Sequence, residues 1–377
     1  MKLKLSVVTA LLGSQLLAGC ALWQDSPAEE AKPETVAPVI SSLDIAWSTN
    51  VDQRKPLMPA ANTVPAIAGE WIVLGAGDKR VHVYGLNGSE VRRVALKSSC
   101  ESGALALPNG LVVLGDSDGN IYGVDPAQGT IVWRKQLSSI LLGSPVMAGD
   151  NFLVQTADNR IYSFNPDGEK LWSYASQLGG MAMHLGSSPL VMGDRTYALF
   201  SNGDAMAFDL KSGNLLWRRQ LILDARAAVL RELRVPIANP VFVAGVLVVS
   251  FFQGEVIGLH PENGEQLWTR KLSLKSTPLV QGNHLYVSTS NGDIAALDGA
   301  TGDSIWRQHV ADVSLVGPAL ISGRLIVADD QGYVHAFTLS GNKSGDLELP
   351  GRIDHAPVAT NNGVLIRNNL GGMYLIR

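Results

Sequence analysis

The chain has 377 residues and a mass of 40.1 kDa, a length that by itself suggests two or three domains of ~100–200 residues. Charged residues make up 17%, glycines number 39 and mean hydropathy is +0.12, which is too apolar for a disordered chain and too glycine-rich for a helical bundle. A formal charge of −4 argues against a general nucleic-acid binder, and two cysteines exclude a disulfide scaffold.

The first 19 residues read as a secretory signal. Lys2 and Lys4 precede an apolar run, Leu5 to Leu17, that is shorter than the ~20 residues a membrane-spanning helix needs. The run ends in Leu17-Ala18-Gly19-Cys20, which resembles a bacterial lipobox. That resemblance implies cleavage before Cys20, lipidation of its thiol and a mature chain of 358 residues. A multiply acylated Cys is a stable anchor where a single acyl chain is marginal. Ala21 and Leu22 follow the Cys in place of Asp, which by analogy with bacterial sorting favours the outer membrane. Residues 20–40, with Pro27, Pro33, Pro38 and four acidic side chains, read as a flexible tether reaching roughly 25 Å in the root-mean-square sense. Trp23 within it either sits at the lipid interface or is simply solvated.

From residue 41 onward one frame recurs. Gly123-Val124-Asp125 is followed by Gly129 and Trp133, and the frame returns at Asn165, Gly168 and Trp172 with a turn one residue shorter and Gly again four residues before Trp. It returns again at Asp209, Gly213 and Trp217, at His260, Gly264 and Trp268, and at Asp298, Gly302 and Trp306. Two copies lack the Trp: Asn87-Gly88, with Arg92 in the Trp slot, and Ser340-Gly341. Each copy predicts a tight hairpin, opened by an Asx-type turn residue and leading into a strand that buries a Trp ring. A second hairpin lies upstream of each, with turns such as Asp118-Gly119, Asn202-Gly203 and Asn291-Gly292. Further upstream stand Pro65, Pro145, Pro189, Pro240, Pro278, Pro318 and Pro357, with Ala104 in the eighth place, at intervals of 38 to 51 residues. Four short strands per ~40–45 residues predict an all-β fold, an eight-bladed β-propeller with four-stranded antiparallel blades, in one domain over 41–377. After Pro357 there is room for three strands only. Leu43-Asp-Ile-Ala-Trp47 should supply the fourth, so that the N-terminal strand completes the last blade and closes the ring.

The Asp-x-x-x-Gly-x-x-x-Trp frame resembles the repeat of pyrroloquinoline-quinone (PQQ) dehydrogenases, and that resemblance implies Trp docking between blades at Trp47, Trp133, Trp172, Trp217, Trp268 and Trp306. It implies a fold, not an activity. Quinone and Ca²⁺ need several carboxylate or amide oxygens with cations. The positions just before the eight anchors offer one amide, Asn239, and one ionisable group, His355. The seven histidines show no metal-ligand spacing, Asp116, Asp118, Asp329 and Asp330 read as turn residues, and Cys100 as a small buried or loop residue. These observations predict no catalytic residue, no metal and no cofactor. A periplasmic PQQ-type quinoprotein dehydrogenase is the alternative.

Lipobox, acidic tether and eight PQQ-type blades together resemble the BamB family, lipoprotein propellers of the outer-membrane β-barrel assembly machine (the BAM complex). The resemblance implies a non-enzymatic scaffold on the periplasmic face of the outer membrane. It also implies docking to the POTRA domains of the barrel subunit BamA and contact with unfolded outer-membrane protein precursors.

Two blade-to-blade connections are overlong, 17 residues after Trp172 and 23 after Trp217, against 12 after Trp133, 10 after Trp268 and 12 after Trp306. Loops on a rigid scaffold commonly carry function. The first holds Met181, Met183, His184 and Leu185 behind two glycines, and methionines adapt to varied partners. The family tends to place Leu-x-Leu-Arg there, so the fixed positive charge is missing. The second holds Arg226, Leu230, Arg231 and Arg234 at helical spacing. These eight residues are the expected partner-binding set. A first loop folded onto its own blades and a second that is merely solvated are the competing readings.

Overall fold

The structure, a computed structural model, describes residues 43–51, 64–100, 102–177, 186–221 and 236–377. Among the described residues thirty-two strands form eight sheets of four, each antiparallel and each ordered inward to outward as it occurs in sequence, save one. The blades span 66–95, 105–136, 146–175, 190–220, 241–270, 279–309 and 315–348. The eighth takes its inner three strands from 358–376 and its outermost strand from Ile45–Asn50. That strand pairs Trp47 with Leu375 and Thr49 with Met373, so the N-terminal strand completes the last blade as the sequence predicts. Where other blades have a covalent hairpin, this blade has a pair of main-chain hydrogen bonds between Asp44 and Arg377, 3.1 and 3.0 Å long.

The blades cohere through alternation. In the second strand of blade 1, Ile72 and Leu74 pack with Leu365 and Leu375 of blade 8, while Val73 between them packs with Val112 and Leu114 of blade 2. A period of two puts successive side chains on opposite faces of a sheet. Here both faces are buried, so the strand reads as a continuous apolar run. The same holds round the ring: eight apolar clusters each draw on two adjacent blades. No blade has a core of its own, so the length that suggested several domains builds one ring.

The anchors fall where expected. The inner strands begin one residue after Pro65, Ala104, Pro145, Pro189, Pro240, Pro278 and Pro357. In blade 7 the strand Leu315–Ile321 runs through Pro318, and its register shifts between Val316 and Ala319. Cys100 is 2% exposed, with its thiol 3.0 Å from the Gly115 carbonyl oxygen, a small buried residue as read from the sequence.

Candidate docking face and the ring that positions it

Three layers of contact fix the ring. The outer layer is the Trp wedge. Trp133 lies over Gly168 of the next blade and its Nε1–H donates to the Pro166 carbonyl at 3.0 Å. Trp172 does the same at Gly213 and Leu210, Trp217 at Gly264 and Pro261, and Trp306 at Gly341 and Leu339. Trp268 covers Gly302 without an acceptor for its indole N–H. Trp47, on the closing strand, covers Gly88 of blade 1 and donates to Leu86 at 2.9 Å. A side chain at Gly168 would collide with the ring at under 3.0 Å, and its φ of +74° is one L-residues avoid, so glycine is required there twice over.

The middle layer is polar. Asp116 accepts from the backbone of Asp118 and Asn120 and from the Tyr122 hydroxyl at 2.6 Å. His82 is buried between Asp78 and Glu90, and His335 between Asp329 and Asp346. Burial pushes the Asp293 carboxyl up, but hydrogen bonds from Arg307 and His309 outweigh it and hold the group below the usual carboxylate range. The described histidines are core or surface residues, as expected. Their carboxylate clusters escaped the sequence reading because the partners come from neighbouring strands or turns rather than from a ligand-like spacing.

The inner layer lines the axis. Ser188 donates its N–H to Asn239 Oδ1 at 2.7 Å and its hydroxyl to the Ser144 carbonyl at 2.8 Å. Asn239 N–H donates to Thr277 Oγ1, and Gly317 N–H to Ser276 Oγ. The small polar residues before the anchors thus stitch blade to blade. Asn239, the one amide there, already has its oxygen engaged. At blade 8, burial pushes the Asp354 carboxyl up, but His355, 2.6 Å away, outweighs that and holds it low. Among the described residues no group of three His, Cys, Asp or Glu could hold a metal. This donor set does not fit a quinone with Ca²⁺.

The two overlong connections leave this scaffold on the face of the second-to-third-strand turns. Ser176 N–H bonds the Asn159 carbonyl of the blade 3 turn, and Leu221 N–H bonds Gly203 of the blade 4 turn. The carbonyl of Gln177 accepts from Asn159 Nδ2 of blade 3 at 2.8 Å and from Asn202 Nδ2 of blade 4 at 3.2 Å. The return stems are equally held: Ser187 is fully buried, Ala238 is 1% exposed, and Ser188 and Asn239 belong to the axial stitching. Both connections therefore spring from neighbouring rigid stems on one face. The expected contact residues on them, Met181, Met183, His184, Leu185, Arg226, Leu230, Arg231 and Arg234, lie outside the described residues, as does Cys20.

The outer rim shows a feature the sequence did not single out. The residue before each docking Trp is exposed: Val132 57%, Leu171 50%, Leu216 47%, Leu267 49% and Ile305 49%. These aliphatics stand on outermost strands whose far edges pair with no strand among the described residues. The blade 7 edge differs, with Lys343, Asp346 and Glu348 on it and Ser344 buried.

Comparison with known proteins follows this architecture. The family model for outer membrane protein assembly factor BamB matches residues 77–308 and 290–375, most of the chain. The chain belongs to the BamB family. The assembly factor BamB of Escherichia coli K12 is 24% identical over 398 residues, covering all of both chains, and that of Bordetella pertussis 23% identical over 98% of this chain and 96% of its own. The crystal structure of BamB from Moraxella catarrhalis superposes with a TM-score of 0.77 at 20% identity, over 89% of this chain and 99% of that one. The crystal structure of the computationally designed Ika8 protein superposes with a TM-score of 0.68 at 14% identity, over 86% of this chain and 98% of that one, so the fold is not confined to the BamB family.

Proposed function

We propose that this chain is a non-enzymatic scaffold lipoprotein of the outer-membrane β-barrel assembly machinery. It docks to the periplasmic POTRA domains of the barrel subunit BamA through the two overlong connections, residues 178–185 and 222–235. The single observation that carries this reading is the pair of adjacent rigid stems presenting both connections on one face of a closed ring in a BamB-family chain. Residues 1–19 are the signal, Cys20 the lipidated anchor on the periplasmic side of the outer membrane, 20–40 the tether and 41–377 the propeller. The exposed aliphatic edges of the outermost strands suit pairing with extended, unfolded outer-membrane protein precursors, since an open strand edge supplies main-chain bonds to any extended chain. The dehydrogenase alternative is set aside, because the family is that of assembly factors and the axial donors are engaged in stitching the blades.

Affinity pull-down from detergent-solubilised envelopes tests the docking. Met181→Asp with Met183→Asp, and Arg231→Glu with Arg234→Glu, should each lose the barrel subunit while retaining the wild-type melting temperature. Undiminished co-purification in both double variants removes the proposal. In the same strain Cys20→Ala should shift the protein from membranes to the soluble fraction.

A further inference from the structure

The eight outermost strands are not equivalent edges. That of blade 2, Thr130–Gln136, is the longest at seven residues, and every residue on it except Trp133 is exposed. Val132 is 57% exposed, more than any other large apolar residue described, and Ile131 beside it is exposed too. Both are β-branched and suit an extended backbone. Pairing with the third strand is regular from Trp133 to Gln136 and slips at Val132, because Trp133 faces Gly123 and Ile131 faces Val124. An edge strand turns alternate N–H and C=O groups away from its sheet, and no described strand meets those of Thr130–Gln136.

Charge separates this edge from the others. Arg134 and Lys135 stand exposed on it, and neither forms an ion pair or side-chain hydrogen bond among the described residues. On other edges the cations are engaged within the ring. Arg93 bonds Glu90 in blade 1, and in blade 4 Arg218 bonds Asp204 while Arg219 bonds the Asn263 carbonyl. Arg270 of blade 5 bonds the Gly302 carbonyl, Arg307 of blade 6 bonds Asp293 and Lys343 of blade 7 bonds Asp346. Blade 3 has a single cation, Lys170 at its first residue, and blade 8 has none. The blade 2 strand carries no carboxylate. Asp125, opposite Thr130, has its Oδ1 taken by the N–H groups of Ala127 and Gln128.

We infer that the blade 2 edge is the strand on which this propeller captures an extended polypeptide, and that it selects a segment with an acidic N-terminal half and an aliphatic C-terminal half. This rests on the pairing of open outer edges with extended chains proposed above, and names the edge and the segment. Antiparallel pairing continues the order of the sheet and is the more stable arrangement per residue. It sets the segment's N-terminal half against Arg134 and Lys135 and its C-terminal half against Ile131 and Val132. Opposite charges and aliphatic pairs across a ladder both stabilise it. A second copy of this chain is the wrong occupant, because two such edges would bring two cations from each strand and no carboxylate into one ladder.

Fluorescence anisotropy of the full-length protein in detergent tests the site, with the fluorescein-labelled peptide Gly-Glu-Val-Glu-Val-Thr-Val-Thr-Gly as probe. Saturable binding is expected, weakened by about tenfold or more when alternate peptide amides are N-methylated, when both Glu are replaced by Lys, or in Val132→Asp. Arg134→Glu with Lys135→Glu should reverse the preference, so that the Lys peptide binds better than the Glu peptide. Leu171→Asp, the same change on the blade 3 edge, should leave the affinity at the wild-type value. All these side chains are exposed, so each variant should keep the wild-type melting temperature. Affinity unchanged in Val132→Asp, or a preference for Glu that survives the double charge reversal, would overturn the assignment to blade 2 and leave edge pairing in general standing. No saturable binding, or binding indifferent to N-methylation, would overturn both.

Discussion

Two junctions of the ring lack the Trp wedge, and they lack it for different reasons. Between blades 7 and 8 the slot is Gly345, paired with Ala336. Blade 8 has no covalent hairpin for a ring to cover, because its third and fourth strands are the two ends of the propeller, joined by the Asp44–Arg377 pair. A Trp there would have no glycine turn to rest on. Between blades 1 and 2 the hairpin is intact, Gly129 keeps a φ of +71°, and the slot is filled by Arg92 stacked on Trp71. The first loss follows from closure. The second leaves a guanidinium stacked on an indole, with one buried nitrogen lacking an acceptor. A degenerate repeat is thus informative where the geometry still calls for the consensus residue and the sequence supplies another.

The closing junction predicts the largest effect. Deleting residues 41–50 removes the outermost strand of blade 8 and with it Trp47, whose ring covers Gly88 and so locks blade 8 to blade 1. Trp47 is half-buried, so its loss costs part of the ~3–5 kcal/mol of truncating a fully buried aromatic, and the strand's ladder is lost besides. The melting temperature in a thermal scan should fall by ten degrees or more, at the ~2–4 °C per kcal/mol typical of large domains. An unchanged melting temperature would mean that the ring does not depend on its closure.

The sequence disclosed this closure because it is arithmetic: after Pro357 the chain has room for three strands, and a Trp-bearing strand stands spare at Trp47. Blade number and Trp docking were legible for the same reason, since the spacing of Asp209, Gly213 and Trp217 is fixed by one hairpin and recurs. The axial stitching was not legible. Ser188, Asn239 and Thr277 are spaced by the length of whole blades, and nothing local marks them as partners. The carboxylate–histidine clusters escaped for a related reason: His335 meets Asp346 only because adjacent strands pair. The difference between the two Trp-less junctions escaped because a lost Trp looks the same at Arg92 as at Gly345 until the next hairpin is seen to be present or absent.

The polar layer sets a smaller, pH-dependent effect. Hydrogen bonds from Arg93 and His82 hold Glu90 low; against burial, Arg307 and His309 hold Asp293 low, and Lys343 and His335 do the same for Asp346. A folded-state value below the unfolded one contributes stability that is complete above the ordinary carboxylate range. That stability disappears as pH falls through the folded value. The carboxylates' contribution to the melting temperature should therefore be flat near neutrality and drop from about pH 4 downward. His309 is raised by Asp293 and Asp312, and its contribution runs the other way, complete below about pH 6.5 and lost as pH rises above it. Asp293→Asn should lower the melting temperature at pH 7 by an amount equivalent to ~1–3 kcal/mol and flatten the acid limb. An acid limb as steep as wild type would show that the cluster does not set it.

The smallest effect separates the two Trp-less junctions directly. If the slot matters only where a hairpin receives it, Gly345→Trp should gain nothing. The residue is buried beside Ser344, so an indole there overpacks the blade 7 edge or swings into solvent, and the melting temperature should stay level or fall by an amount equivalent to ~1–3 kcal/mol. Arg92→Trp inserts the same ring opposite Gly129, where the turn glycine and the Pro126 carbonyl are already in place, and it should match or exceed wild type. Equal behaviour of the two substitutions would sink the distinction. It would mean that the wedge is a property of the outermost strand and not of the hairpin that receives it.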